Sequence, residues 1–231
     1  MSSLSKNLMI FNSHTAARDK IFRFVQYGSR LILWQLTYGS PDVKGGVITR
    51  LRKLEGALGL SRKLFRLGNC IDLAHKASDA LSIPELGMRL LTFTSQVMKA
   101  LWLLIDHLLW FSKVGLVNVD QIFWNQWSLR AWLIALTTAS IADMIKLQGV
   151  QNKLHRHRKE FGKDAKISDK LQIEMHSVRM NFWRDFCDLF IPLGGLSYVS
   201  PGFSALTGVV SSVIGFKQEW EKHIQPFKPQ N

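Results

Sequence analysis

Cysteine is nearly absent: Cys70 and Cys187 are the two in 231 residues. That excludes a disulfide framework and leaves two reduced thiols facing the cytosol as the default. Acid is also short, with 17 Asp and Glu against 30 Lys and Arg, for a formal net charge of +13. Such an excess points to a polyanionic partner, either nucleic acid or an anionic lipid surface. Catalytic signatures are missing: there is no P-loop, no GxGxxG after a strand, no HExxH and no GxSxG. Asp19, Asp72, Asp106 and Asp143 stand singly, and none pairs with a His in a recognisable arrangement. Zinc-finger, RRM and KH signatures are lacking too, which weakens the nucleic-acid reading. His155 and His157 alternate with arginine and read as a basic tract rather than a metal site. The expectation is therefore a non-enzyme with no catalytic residue, no metal and no cofactor. The first twenty residues show no continuous apolar run of a secretory signal, and the closing KPQN is neither a peroxisomal tripeptide nor an ER-retention signal.

What is present is apolar and aromatic. Hydrophobic residues make up 47% of the chain, enough for a folded core, and eight Trp and fourteen Phe suit a membrane interface. The periodicity is helical nearly throughout, which predicts helices over 15–36, 47–67, 70–81, 86–111, 120–147 and 202–216. TYGSPD at 37–42 reads as a turn, and Gly68-Asn69 and Gly115 as helix stops. On the 47–67 helix, Val47, Leu51, Leu54, Leu58 and Phe65 form one apolar stripe. Arg52, Arg62, Lys63 and Arg66 gather opposite it, with Glu55 the one acid. A basic amphipathic helix fits a membrane surface or a partner groove. Leu60, Leu64 and Leu67 form a second stripe, so the same helix could be sandwiched in a bundle.

Between Arg130 and Asp143 the uncharged run is too short to cross ~30 Å of hydrocarbon, which needs about 20 residues. Residues 150–184 are charged and net positive, a polar linker or a solvated helix. From Leu189 to Phe216 no residue is charged. That segment is long enough to span, with Pro192, Gly194, Gly195, Pro201 and Gly202 breaking its first half. Ser204, Gly208 and Ser212 recur every fourth residue, a spacing that lets two helices approach closely, either within one bundle or between two copies. The expected fold class is all-α: a membrane-associated helical bundle with amphipathic helices and a C-terminal hydrophobic membrane anchor. Its expected segments are an amphipathic region 1–82, a hydrophobic hairpin 83–149, a basic linker or helix 150–187, a membrane segment 188–216 and a polar tail 217–231.

Four stretches together are more specific than any pattern of this kind: ARDKIFRFVQYGSRL (17–31), LGLSRKLFRLGNCIDLAHKA (58–77), ALWLLIDHLLWFSKVGL (100–116) and DLFIPLGGLSYVSPGFSALTGVVSSVIGF (188–216). In this order they resemble the peroxisomal membrane protein 11 family, the eleventh peroxin, nearer its alpha and beta animal forms than its gamma form. The resemblance implies a peroxisomal membrane protein that promotes peroxisome elongation, proliferation and fission. It implies insertion of a basic amphipathic helix into an anionic phospholipid leaflet, homo-oligomerisation, and recruitment of a dynamin-related fission GTPase and its membrane adaptors, with no nucleic acid. The family's lipid-binding helix falls on 47–67, its basic residues on Arg50, Arg52, Lys53, Arg62, Lys63 and Arg66, with Leu54, Leu58 and Phe65 on the apolar side. Its C-terminal anchor falls on 189–216, with Ser204, Gly208 and Ser212 as the self-association face. The positive-inside rule puts the basic 150–184 tract in the cytosol. Two other readings stay open: a pore for small metabolites in the same membrane, lined by Lys99, Asp106 and Asp143, and a soluble basic helical protein that binds RNA.

Overall fold

The computed structural model describes residues 3–39, 45–161 and 165–229. Eight helices account for nearly all of them: α1 Ser3–Ser13, α2 Thr15–Gly39, α3 Gly45–Phe65, α4 Asn69–Ala80, α5 Leu86–Lys113, α6 Gln121–Phe161, α7 Ala165–Gly195 and α8 Pro201–His223. Residues 37–39 of the expected turn belong to α2, and 40–42 lie outside the described residues. Gly68 (φ 85°) and Gly115 (φ 84°) do end helices, each in the left-handed region that costs glycine least.

Packing closes a ring. In order around it, α2, α3, α5, α6, α7 and α8 each touch the next, and α8 returns to α2. α1 rests on α2 and α8, and α4 on α5. The stacked rings of Trp102 and Trp132, centroids 4.8 Å apart, join α5 to α6. Ser95 donates to the Ala135 carbonyl across the same seam at 3.0 Å.

Buried ionisable side chains sit within an otherwise apolar core, and large apolar side chains also face outward. Arg23, Arg62, Asp106, Asp185 and Asp188 are all buried, whereas Leu90 (56% exposed), Leu104 (53%), Ile32 (50%) and Val213 (52%) face outward. Water would penalise both choices. In lipid the same arrangement is the stable one, because ionisable side chains then turn to the bundle interior and pair there.

The expected C-terminal anchor requires correction. Residues 189–216 are not one segment but the end of α7, a turn at 196–200 and most of α8. α7 runs through Pro192 to Gly195, and α8 starts afresh at Pro201, where the Ser200 hydroxyl caps it by accepting from Phe203 N at 3.2 Å. The described helix that is long and apolar enough to cross a membrane is instead Gln121–His157, within α6, and only 28% of its most apolar stretch is buried by the rest of the chain. The uninterrupted-run criterion overlooked it because Arg130 and Asp143 interrupt it, although Ile134, Ile141, Met144 and Ile145 still face outward. At ~1.5 Å per residue α6 is about 60 Å long, twice the hydrocarbon thickness, so only part of it can be embedded. The basic 150–161 tract continues α6 rather than leaving it as a loop.

Candidate membrane-contact site

The basic helix has two ends with different surroundings. From Gly45 to Leu54 little covers α3. Val47, Arg50, Arg52, Lys53 and Leu54 are exposed, and none of the three cations has a salt bridge among the described residues. From Glu55 onward the helix is docked. Glu55 accepts from Arg30 Nε of α2 at 2.7 Å. Gly59 leaves room for the Gln26 side chain: a Cβ there would lie 3.0 Å from Gln26 Nε2. Arg62 Nε donates to Asp19 Oδ1 at 2.9 Å and its Nη1 to Gln26 Oε1 at 2.7 Å. Phe65 stacks on Phe22 of α2, centroids 5.6 Å apart. Asp106 of α5 takes two cations at once, Lys63 Nζ at 2.7 Å and Arg66 Nη2 at 2.7 Å. The Arg66 guanidinium also lies 4.9 Å over the Trp102 ring.

The nine residues expected to meet lipid therefore divide. Arg50, Arg52, Lys53 and Leu54 reach the surface. Leu58, Lys63, Phe65 and Arg66 are half-buried and Arg62 is buried, and the four of these from 62 onward bind α2 or α5. Their acid partners lie 43 and 40 residues away in sequence. The signal available in advance was the isolation of Asp19 and Asp106 on otherwise basic or apolar stretches, since a lone acid there needs a cation.

Ser204, Gly208 and Ser212 are buried on α8, with Gly208 against α2 and Ser204 against Gly194 of α7 of the same chain. A Cβ on Gly208 would lie 2.5 Å from Tyr27 Cδ1, and one on Gly202 2.3 Å from the Trp34 ring. Small residues are required there because two large aromatic rings of α2 occupy the space. Ser212 keeps its own hydroxyl satisfied on the Gly208 carbonyl.

Deeper inside, α2 and α7 meet through Arg23, which pairs with Asp188 and donates to Ser211 Oγ of α8 at 3.0 Å. Lys99 of α5 and Arg184 share Asp185 at 3.3 and 2.9 Å. Burial alone would raise the Asp185 carboxyl, but Lys99 and Arg184 hold it down at about 2. Lys99 and Asp106, suggested for a pore, are thus tied in ion pairs, and Lys99 and Asp143 together line a cavity of about 360 Å³ between α4, α5, α6 and α7. Among the described residues no group of three or more His, Cys, Asp or Glu side chains could hold a metal ion.

The model of the family "Peroxisomal biogenesis factor 11 (PEX11)" matches residues 5–220. Peroxisomal membrane protein 11B of Bos taurus is 29% identical, covering 88% of this chain and 92% of its own length. Peroxisomal membrane protein 11A of the same species is 25% identical, over 89% and 92%. Peroxisomal biogenesis factor 11 of Schizosaccharomyces pombe is 27% identical, over 88% and 90%. No solved structure matches the chain.

Proposed function

The chain belongs to the Peroxisomal biogenesis factor 11 family, and from that premise we propose that it elongates peroxisomes and prepares them for fission. It is a non-enzymatic protein of the peroxisomal membrane with a helix fit for embedding, and the working element is the free end of α3. The observation that carries this is the exposed cluster of Arg50, Arg52 and Lys53 beside the exposed apolar Val47 and Leu54. Such an end can lie ~5–10 Å into the headgroup boundary and wedge one leaflet apart. Each cation near an anionic surface adds on the order of 1 kcal/mol, so attachment depends on lipid charge and on salt. The docked end of α3 would hold the wedge at a fixed angle to the bundle. Membrane tubulation then needs many copies, and a dynamin-related GTPase with its adaptors completes the division of the narrowed organelle. Self-association through Ser204, Gly208 and Ser212 requires α8 to trade its neighbours α2 and α7 within the chain for helices of a second copy. We place the chain nearer the alpha and beta forms, supported by its similarity to both bovine proteins, and the basic end of α6 on the cytosolic side.

The test is a variant with Arg50, Arg52 and Lys53 all changed to Gln. It should reach peroxisomes and resist carbonate extraction, yet leave them spherical in cells lacking the native protein. Peroxisomes elongated as fully as by the parent would overturn the wedge.

A second reading has its own observation. Two adjoining polar cavities of about 330 and 360 Å³ share Lys76, Lys99, Arg184 and Asp185. Cavities in series would suit a conduit for small solutes. Flux across reconstituted vesicles separates the two: a conduit passes solute without reshaping the vesicle, and a wedge reshapes it without passing solute.

A further inference from the structure

The central cavity of the ring, about 330 Å³, has more positive charge than its acids can balance. Seven cationic side chains line it against four carboxylates. Four of the cations are spoken for within the cavity: Arg62 by Asp19, Arg23 by Asp188, and Lys99 and Arg184 together by Asp185. Arg66 pairs with Asp106, which lies outside the cavity lining and also holds Lys63. Lys20 and Lys76 make no salt bridge among the described residues, and Asp72 at the mouth makes none to set against them. A second observation is independent of this count. Arg23 is 93% buried, taking its 7% exposure from the whole, and its Nε is enclosed with no hydrogen-bond partner. An enclosed guanidinium N–H without an acceptor is costly, and such groups in folded proteins call for an unseen partner. The mouth is open, since Asn69, Asp72 and Lys76 of α4 are exposed.

We propose that this cavity binds a phosphoryl group, held by Lys20, the free Nε of Arg23, and Lys76 at the entrance. A phosphoryl oxygen accepts from ammonium and guanidinium donors with charge-assisted bonds. An anion of this kind relieves the uncompensated charge and the orphaned donor together. A carboxylate could meet one donor, but three donors from α2 and α4 suit a group with three or more acceptor oxygens. Lys20 is placed to respond to occupancy. Burial, with Arg23 and Arg184 nearby, lowers its ammonium to about 8 despite Asp19 and Asp188, so bound anion should restore it to full charge. The site is distinct from the exposed end of α3 and does not depend on the wedge. The phosphoryl group could belong to a free phosphate or to a lipid headgroup entering between the helices.

The experiment uses the full chain in nanodiscs of neutral phosphatidylcholine. One arm titrates inorganic phosphate by calorimetry, and a second replaces about a tenth of the lipid with phosphatidate and follows the melting temperature. Saturable phosphate binding identifies free phosphate as a ligand. Stabilisation by phosphatidate alone identifies the lipid headgroup. Either outcome supports the site provided that Lys20→Gln weakens the response about tenfold or more, as expected for one lost charge-assisted contact, while Lys20→Arg retains it. Lys76→Gln, on an exposed position that the fold does not use, should weaken it severalfold and serves if Lys20→Gln does not fold. No response in either arm, or an equal response in the parent and in the Lys20 and Lys76 variants, would overturn the proposal.

Discussion

At the near end of α3, Arg50, Arg52 and Lys53 stand exposed, while at the far end Arg62, Lys63 and Arg66 reach Asp19 and Asp106 through bonds of 2.7–2.9 Å. Each end carries three cations, with Arg66 in the turn directly after α3. At the far end the charge is spent on holding three helices together. At the near end it remains available to a surface. A basic amphipathic helix is therefore not one functional unit here, and substitutions at its two ends should fail in different ways.

The largest effect is expected at Arg62→Glu. It sets a carboxylate beside Asp19 and orphans Gln26, and breaking a buried pair in this way costs about 3–5 kcal/mol. Thermal unfolding in detergent should show a fall large enough to leave much of the protein unfolded. A melting temperature equal to that of the parent would mean the far end is not docked.

Arg50, Arg52 and Lys53 changed together to Gln sharpen the contrast. Stability should stay within about 0.5 kcal/mol of the parent, since the sites are exposed and unpaired. Binding to anionic vesicles should weaken by about 3 kcal/mol, roughly 1 per charge, and the salt dependence should flatten. Co-sedimentation at two ionic strengths measures both.

Next comes acid. Asp185 is held at about 2 by Lys99 and Arg184, well below its unfolded value. A lowered carboxyl contributes stability that is present above the unfolded pKa near 4 and lost as pH falls towards 2. About 2 kcal/mol should disappear over that window in the parent and be missing from Asp185→Asn at every pH. Denaturation monitored by helical circular dichroism at pH 6, 4 and 2.5 tests this. Loss of the same size in both proteins would assign it to other groups.

The smallest expected effect is at Gly208→Ala, where the added methyl meets the Tyr27 ring. Overpacking of this kind costs about 1–3 kcal/mol, less where the ring can shift. Vesicle binding should be untouched. Crosslinked dimers that vanish in this variant at unchanged stability would show that the stripe serves a second copy rather than α2.

Much of the fold was legible in the chain because local rules set it. Gly68 and Gly115 stop helices where predicted, since positive φ is a local demand that glycine meets most cheaply. The helix over 70–81 appears as Asn69–Ala80, and that over 15–36 as Thr15–Gly39. Two expectations about the membrane missed for a shared reason. The uncharged 189–216 segment looked like the anchor because only its composition could be read, yet Gly202 and Gly208 admit Trp34 and Tyr27 of α2, and Gly194 and Gly195 admit Ser204 and Leu129. α6 looked too interrupted, yet Gln121–His157 is the helix that passes by length and composition.

What the sequence by itself determined is therefore most of the helices, the stops at Gly68 and Gly115, the excess of positive charge and the family, all of which depend on neighbours within a few turns or on motifs read in order; α1, α7 and the length of α6 were not among them. What only the tertiary structure decided is which cations are free. Arg62, Lys63 and Arg66 differ from Arg50, Arg52 and Lys53 in nothing local. They differ because closing the ring brings Asp19 and Asp106 against them across some forty residues of chain, and a charge buried beside its counterion no longer competes for a membrane.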